Sequence, residues 1–484
     1  MVSIFKHEAG NPSGLSSSGR SLKEVLASCS PAQILYVPID VAKTNHSAMI
    51  VNFVGEVITP KFDFPYNTHG IQFLHHKIVH ARKQTQAQKL FLGLEATGHY
   101  HENLTGSLQA MGYDIQVIRP FDVSRERDNV HAKTDAIDLA AIARVLISQK
   151  GKRSYVPDDI YYNLQRASRT HRQLTHQETR TKNIITALLD KTFPGLWKTS
   201  EQGKALFAKP WGKASLLFIE HYPTPQNVLK LGAKRLSSFF KKHNTKLGLQ
   251  TAQRIIQRAK ECPTLSPQRL KADLKALQAH LEILKVQSTQ IEKQKSLMAK
   301  FLIQTPGTYL LSIPGISLVY ASDFTAEVGN IHRFAYAKQI SSLAGTAPRK
   351  AQSGQMDSNH LPTSHKGKTL LRMTLNQIAL SLNAHCLQYT RYYGEKHLHY
   401  QDTPGKARTA TGNKFVRLAF ALMKKEQLYN PNSRNPLLPE RQYEQQVWKN
   451  IRRKLEPYLP EEIPQDTYLH KLQRQLEEDY DVTR

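Results

Sequence analysis

The sequence predicts an α/β domain with a mixed sheet, followed by a mostly helical remainder of the chain. Short apolar runs rich in β-branched residues alternate with helical stretches between residues 32 and 149, a pattern typical of α/β layers. Beyond residue 150 the apolar residues recur with helical spacing. The chain has 484 residues, of which 40% are hydrophobic, so it can bury real cores in roughly three domains.

The first domain contains five predicted strands and several helices. The strands are Ile34–Val41, His46–Phe53, Glu56–Thr59, Lys89–Leu94 and Ile115–Ile118. A helical stretch follows the third strand, and further helices are predicted at His101–Met111, which ends before Gly112, and at Lys133–Ser148. Residues 1–31 are rich in Gly and Ser and are expected to form a flexible leader.

The next region, residues 150–262, is basic and helical. Arg166, Arg169 and Arg172 recur at every third position, and Arg180 and Lys182 follow. Such a row indicates either phosphate contacts with nucleic acid or a solvated helix face. Interleaved histidines and the scarcity of acids favour nucleic acid.

A coiled coil is predicted for residues 263–304. Apolar residues alternate in steps of four and three at Leu270, Leu274, Leu277, Leu281, Leu284, Ile291, Met298 and Leu302. The alternative is an amphipathic helix that packs on its own domain. Dense polar residues between the seam positions favour the coiled coil and thus self-association. Residues 305–425 are predicted to form a compact helical block, and residues 426–484 a peripheral C-terminal extension with one or two short helices.

Composition narrows the class of partner. The chain carries 67 Lys and Arg against 39 Asp and Glu, a net charge of +28, which indicates a polyanion rather than a small-molecule substrate. Three scattered cysteines exclude a disulfide framework and a thiolate zinc site, and fit a reducing cytoplasm. The sequence has no apolar run of membrane-spanning length and no apolar segment typical of a secretory signal, so no membrane partner is expected.

Four acids stand out by their placement. Asp40 ends the first strand, Glu95 follows the fourth, and Asp135 and Asp138 open a helix three residues apart, on one face. Carboxylates at strand ends and on a nearby helix could form an oxygen-rich site for Mg²⁺, suited to phosphodiester chemistry. The alternative is that they only cap helices and strands.

A serine in the later block is a second candidate. Ser353 lies in a polar loop after Arg349 and Lys350, and Lys366, Lys368 and Arg372 form a basic strip downstream. A serine hydroxyl needs a base or a metal ion to attack phosphorus, and most loop serines are inert. The basic strip indicates phosphate contacts or a solvated face.

These motifs together resemble the DEDD-type insertion-sequence transposases of the insertion-sequence 110 family, the bridge-RNA-guided serine recombinases, which include site-specific DNA invertases. The first domain resembles their RuvC-like (RNase H-like) nuclease domain through Ile39–Lys43, Leu94–Gly98 and the segment from Lys133 to Asp138. The helical block resembles their transposase domain through Ile313–Ile316, Arg333–Phe334, Ala344–Gly345, Pro348, Gln352–Gly354, Gly367, Leu371 and Arg372. Pro38 and Ser317 stand where the family has glycine.

The resemblance implies a mechanism and partners. Asp40, Glu95, Asp135 and Asp138 would bind Mg²⁺, and Ser353 would be the nucleophile that forms a covalent phosphoserine link to DNA. A structured non-coding guide RNA would pair with donor and target double-stranded DNA, and a homodimer or tetramer would assemble. The remaining alternatives are a metal-dependent junction endonuclease that hydrolyses DNA without Ser353, and a non-catalytic RNA-binding scaffold.

Overall fold

The chain folds into two compact units, with the boundary between Val156 and Pro157. The computed structural model describes residues 30–96, 98–127, 135–148, 155–197, 205–245, 247–347, 352–353, 356–357, 367–401, 403–431, 440–459 and 463–481. The predicted leader, apart from its last two residues, lies outside these ranges.

The first unit is built on a mixed five-stranded sheet. Its strands are β1 (Ile34–Asp40), β2 (Asn45–Asn52), β3 (Val57–Pro65), β4 (Lys89–Glu95) and β5 (Ile115–Ile118). Their order is β3-β2-β1-β4-β5, with β1–β2 and β2–β3 antiparallel and β1–β4 and β4–β5 parallel. The mixed sheet of the first domain is therefore confirmed, although β3 extends well beyond the predicted Glu56–Thr59.

Helices cover both faces of this sheet. They are α1 (Thr68–Thr85), α2 (Tyr100–Ala110), α3 (Pro120–Arg127) and α4 (Asp135–Ser148). Leu35, Val37 and Ile39 of β1 share one apolar core with α1 and α2. The alternate residues Ile34 and Tyr36 share the other core with α4. This alternation arises because successive side chains of a strand point to opposite faces of the sheet. It also decides to which face Asp40, the last residue of β1, points.

The second unit is mostly helical. Its helices are α5 (Asp159–Thr192), α6 (Lys213–His221), α7 (Pro225–Lys242), α8 (Leu249–Glu261), α9 (Pro267–Leu302), α10 (Leu318–Val328), α11 (Ala337–Ala344), α12 (Thr369–His385), α13 (Leu387–His399), α14 (Pro404–Lys425), α15 (Glu440–Leu455) and α16 (Tyr468–Asp481). Two short strands, β6 (Gln352–Ser353) and β7 (Met356–Asp357), pair antiparallel. Within the described part of the chain, every helix is too short or too polar to cross a membrane.

The predicted coiled-coil helix packs inside its own unit. Helix α9 lies antiparallel to α5: Lys191 of α5 pairs with Asp273 at 3.5 Å, and Ser288 donates to Glu178 at 2.9 Å. Its seam residues Leu277, Leu281 and Leu284 are buried with the last turns of α5 and with α6 to α8. The seam expected to join two copies is thus occupied within one chain, and the structure shows the amphipathic alternative.

The C-terminal helices are not peripheral. Val447, Ile451 and Leu455 of α15, and Leu469 and Leu472 of α16, are buried in the main core of the second unit. The prolines between residues 431 and 464 hid this packing in the sequence, because they interrupt the helical pattern without preventing the segments between them from docking.

Candidate active site

Two of the four predicted acids lie at the carboxyl ends of neighbouring parallel strands. Ile39 of β1 is the partner of Leu94 of β4, so Asp40 and Glu95 follow side by side. Because Ile39 and Leu94 point into the core shared with α1 and α2, the next residue of each strand points to the opposite face. Asp40 and Glu95 are therefore directed to the face that α4 covers.

Helix α4 brings the other two acids to the same face. Its side chains Leu139, Ile142 and Leu146 pack on that face of the sheet. Gly93 allows this close approach, since a Cβ atom there would lie 2.5 Å from Leu146. Asp138, in the first turn of α4, is 8% exposed, as is Glu95, whereas Asp135 at the start of the helix is exposed.

Arg127, the last residue of α3, joins two of these acids. Its guanidinium forms an ion pair with Glu95 through Nη2 and a second one with Asp138 through Nε, at 2.8 Å. Both carboxylates are 11% exposed at the side chain and Arg127 is 26% exposed. One guanidinium therefore holds together a strand end and a helix start.

Asp135 has a cation of its own. Lys61 of β3 donates to Asp135 Oδ2 at 2.7 Å and lies 3.7 Å from Asp63. This hydrogen bond, with the charge of Lys61, lowers the pKa of Asp135. The exposed Asp135 is thus ionised at neutral pH and faces the same cluster.

Asp40 experiences the like charge of all the others. Burial raises the pKa of Asp40, the charges of Asp138, Glu95 and Asp135 raise it further, and Arg127 opposes them. The four predicted acids thus lie within electrostatic range of one another. They carry more negative charge than Arg127 and Lys61 can neutralise.

The donor set fits a divalent cation in type, since Mg²⁺ prefers carboxylate oxygens. Among the described residues, however, no three His, Cys, Asp or Glu side chains converge closely enough to hold a metal ion. Glu95, Asp135 and Asp138 turn instead to Arg127 or Lys61. The donor types suit a divalent cation, and Arg127 and Lys61 contact three of the four acids predicted to bind it.

Ser353 lies in the second unit, in one of two short paired strands. Its strand β6 pairs with β7, with Ser353 opposite Met356. The chain leaves α11 at Gly345 and returns at Gly367, where a Cβ atom would lie 2.5 Å from Gly345 N. Lys368 N also donates to Leu343 O at 2.7 Å. The segment that carries Ser353 therefore begins and ends at one point of the helical core.

Three of the predicted nucleic-acid cations belong to a buried charge network in the second unit. The network consists of Arg169, Arg172, Asp323, Glu327 and Lys368. Arg169 binds Glu327 through two hydrogen bonds, at 2.9 and 3.2 Å, and Lys368 lies 3.4 Å from the same carboxylate. Arg172 donates to Asp323 at 2.8 Å. These three cations join α5, α10 and the start of α12.

The acids of this network respond oppositely to their surroundings. Burial alone would raise the pKa of Glu327, but hydrogen bonds from Arg169 and Lys368 and their charges lower it overall. Burial raises the pKa of Asp323 in spite of hydrogen bonds from Ser168 and Arg172. Burial also lowers the pKa of Lys368.

The other predicted cations have varied locations. Arg166 lies 5.0 Å from the ring of Tyr162, and Lys182 donates to Glu178 at 2.8 Å. Arg372 donates to Ala344 O at 3.0 Å, and Arg180 is exposed on α5. Arg349, Lys350 and Lys366 lie outside the described residues.

Sequence reasoning missed the partners of these acids. Nothing marks Arg127 in the sequence, because its role depends on where α3 ends relative to the sheet. The pair Asp323 and Glu327 did carry a signal, since two acids four residues apart interrupt an apolar helix. Such acids need buried cations, which Arg169 and Arg172 supply.

Comparison with known proteins covers both units. Residues 37–194 match a family model for DEDD transposases of the IS110 type, described as a transposase. Residues 307–394 match the model described as the transposase IS116/IS110/IS902 family. The first matched segment contains all four acids of the candidate site, and the second contains Ser353.

Several proteins of bacterial insertion elements are similar to the chain. An uncharacterized 44.8 kDa protein of insertion element IS116 from Streptomyces clavuligerus is 21% identical over 82% of this chain and 96% of its own length. A 42 kDa protein of IS900 from Mycobacterium paratuberculosis is 24% identical over 45% of this chain and 55% of its own. The transposase of IS1111A from Coxiella burnetii is 31% identical over 24% of this chain and 33% of its own.

Proposed function

The chain belongs to the IS110 family of transposases, enzymes that catalyse DNA strand transfer, and from this premise we propose how it does so. Asp40, Glu95, Asp135 and Asp138 would hold Mg²⁺, which would neutralise charge on a phosphate, and Ser353 would be the nucleophile. The product of the first step is a phosphoserine ester with one DNA strand. A structured guide RNA selects the donor and target duplexes.

The observation that carries the proposal is the convergence of the four acids on one face of the sheet. Because side chains alternate along a strand, Asp40 and Glu95 point to the face of the sheet that α4 covers. The first turn of α4 contributes Asp135 and Asp138. The chain has a charge of +28, which suits a phosphate substrate, but carboxylates and phosphate repel each other. The cluster of acids can therefore act on a phosphate only if a cation binds both groups.

The chemistry of Ser353 requires help at its oxygen. In the proposed step Ser353 Oγ loses its proton and forms a bond to phosphorus. The bond from phosphorus to one deoxyribose oxygen breaks, and the displaced oxygen takes up a proton to become a hydroxyl group. A divalent cation, when bound, neutralises charge on the phosphate and lowers the cost of deprotonating a nucleophile. One phosphodiester is exchanged for another, so the strand can be resealed without ATP.

The described ends of the segment between α11 and α12, which contains Ser353, support this role. Thr346, which follows α11, donates to Asn413 of α14 at 2.8 Å, and Arg372 donates to the carbonyl of Ala344 at 3.0 Å. A nucleophile on a loop needs anchored ends to reach phosphorus in a defined orientation.

Exposed cations are the proposed contacts with nucleic acid. Arg166 and Arg180 lie on exposed positions of α5, and α7 adds an exposed row, Lys234, Arg235, Lys241 and Lys242. Lys234 and Lys241 are seven residues apart and lie on one face of the helix, and Arg235 and Lys242 do so as well. Arg169, Arg172 and Lys368 are held by buried acids, so we assign phosphate contact first to the exposed groups.

One pair of variants tests the nucleophile. Ser353→Ala should bind DNA as wild type does, but should form neither the covalent protein–DNA adduct nor recombinant product. Asp138→Asn should abolish cleavage of every kind. Denaturing gels with end-labelled DNA detect the adduct directly. Ser238→Ala and Asp122→Asn are matched controls that alter a serine of α7 and an acid of α3.

The alternatives predict other products. Hydrolysed DNA from Ser353→Ala, without an adduct in wild type, would replace the proposal with a junction nuclease. Unchanged DNA under all conditions would favour a scaffold. RNA guidance is tested by sequencing the RNA that copurifies with the protein and by removing it before the assay. Sedimentation of the RNA-bound complex tests the proposed dimer or tetramer.

A further inference from the structure

Arg127 holds the two most buried acids of the candidate site with a single group. The exposed fractions of the Glu95 and Asp138 side chains are each 11%, and the Arg127 guanidinium bridges them. It comes from α3, which packs on α4 but contributes none of the four acids. Helix α3 begins two residues after β5, but Arg127 is its last residue, so this side chain can leave the two acids without unfolding the sheet.

The bridge concerns the oxygens that the proposed function assigns to Mg²⁺. Arg127 Nε lies 2.8 Å from Asp138 Oδ1, and its Nη2 is paired with Glu95 Oε2. A guanidinium at this distance from a carboxylate occupies the space beside its oxygens and repels a second cation. The charge of Arg127 also opposes the rise in the pKa of Asp40 that burial and the neighbouring carboxylates cause.

The charges of the site acids explain why a cation is needed beside Glu95 and Asp138. Two acids, Glu95 and Asp138, are almost fully buried and adjacent to half-buried Asp40. Without a counter-ion, the negative charges of these carboxylates would repel one another. Arg127 supplies one positive charge, and a divalent cation would supply two.

We infer that Arg127 is the built-in counter-ion of the metal-free site, a positioning residue that exchanges with the divalent cation. It keeps the side chains of Glu95 and Asp138 turned inward until the ion arrives. On metal binding its guanidinium leaves the two oxygens. This inference rests on the proposed function, because it assumes that the four acids are the metal ligands.

The competing interpretation is that Arg127 organises Glu95 and Asp138 for the ion and stays in place. The two interpretations predict opposite signs. A competitor lowers the affinity for metal, so its removal tightens binding. An organiser raises the affinity, so its removal weakens binding.

The experiment titrates the full-length protein with Mg²⁺ alone, and separately with Mn²⁺ alone, by calorimetry and by thermal unfolding. Arg127→Gln should melt at a lower temperature than wild type without metal, yet bind the ion about tenfold more tightly, as expected for removing one nearby charge. Saturating metal should then remove most of the difference in melting temperature. Arg127→Lys should lie between the two proteins.

Arg119→Gln is the matched control. Arg119 directly precedes α3 and donates two hydrogen bonds to Asp122 of that helix, at 2.9 and 2.8 Å. It contacts none of the four site acids. Its replacement should leave metal affinity unchanged. A general loss of stability would lower both melting temperature and affinity in Arg127→Gln, and only exchange moves them in opposite directions.

The outcomes separate the inference from the function on which it rests. Equal or weaker metal binding by Arg127→Gln would overturn the exchange role while leaving the metal site intact. Absence of metal binding in wild type, together with no effect of Asp138→Asn, would overturn the proposed metal site and the inference with it.

Discussion

The two units each contain a cluster of acids and cations, and the clusters differ in their charge balance. The cluster of the first unit has four acids, Asp40, Glu95, Asp135 and Asp138, against Arg127 and Lys61. The charge network of the second unit has two acids, Asp323 and Glu327, against three cations. An excess of negative charge leaves room for a further cation, whereas the network of the second unit needs none.

The two clusters also differ in how deeply their acids are buried. The side chains of Asp323 and Glu327 are 8% and 4% exposed and are held from α5 and from the residue before α12. Asp135 in the first unit is exposed and Asp40 is half-buried. The comparison teaches that a closed network in which every acid has a cationic partner stabilises a fold, while an open cluster with excess negative charge is suited to binding. It also explains why a row of arginines in a helix can be structural.

The largest effect on stability is expected in the charge network of the second unit. Glu327→Ala should lower the free energy of unfolding by about 3 kcal/mol, because the partly buried Arg169 and Lys368 would both lose the buried carboxylate that they contact. Chemical denaturation of the full-length protein measures this. Glu327→Gln should cost less, since its amide oxygen can still accept one hydrogen bond. A loss below about 1 kcal/mol in the alanine variant would contradict the structural role.

A half-buried lysine that contacts no carboxylate among the described residues sharpens the comparison. Lys454 of α15 donates to Leu311 O at 2.7 Å and approaches Ile313 O at 3.5 Å. Burial lowers the pKa of Lys454 to about 8, and the charge of Arg453 adds to this. Between about pH 8 and pH 10.5 the unfolded chain binds more protons at this lysine than the folded chain does.

The stability contributed by Lys454 should therefore rise with pH across that window, by at most about 3 kcal/mol. Below pH 8 the lysine is charged in both states and its contribution is constant. The measurement is the difference in unfolding free energy between wild type and Lys454→Met at pH 7.5, 8.5 and 9.5. A difference that does not change with pH would show that the buried amine does not titrate in this range.

An effect of opposite sign is expected in the unbalanced cluster. Asp40→Asn should stabilise the metal-free protein by about 1 kcal/mol at neutral pH, because it removes a carboxylate that burial and three like charges disfavour. With saturating Mg²⁺ the sign should reverse, since the variant lacks a ligand. Thermal unfolding with and without the ion measures both. Destabilisation in the absence of metal would show that Asp40 is satisfied as the protein stands.

The smallest effect is expected at an exposed pair. Arg119 and Asp122 form an ion pair at 2.8 Å, with Arg119 45% exposed. Arg119→Gln should change the free energy of unfolding by less than about 1 kcal/mol, because water screens the pair. Adding 0.5 M salt should change the stability of wild type and variant by the same amount. A larger effect would mean that burial does not explain the contrast between the two clusters.

Much of the first unit could be predicted from the sequence. The strands β1, β4 and β5 are short β-branched runs with turn residues on either side, and their positions were predicted within about one residue. The four acids of the candidate site were recognised by their placement at strand ends and at a helix start. These features are local, and local propensity and chain spacing decide them.

Other features depended on packing across the chain. The heptad pattern indicates only that one face of α9 is apolar. It does not indicate whether that face packs on a second copy of the chain or on α5 of the same chain. The row Arg166, Arg169 and Arg172 likewise could not reveal the acids of α10, more than 150 residues away. Such contacts join distant segments and leave no mark on the local pattern.

The sequence by itself determined the types of residue at the site, the order of the strands and helices along the chain, and the excess of positive charge. Only the tertiary structure decided that Asp40 and Glu95 point toward α4. Strand β1 is buried on both faces, so its apolar run is continuous and does not show which alternate residues lie on which side. The tertiary structure also decided that Arg127 and Lys61 neutralise part of the cluster, because these contacts depend on where α3 and β3 lie beside α4.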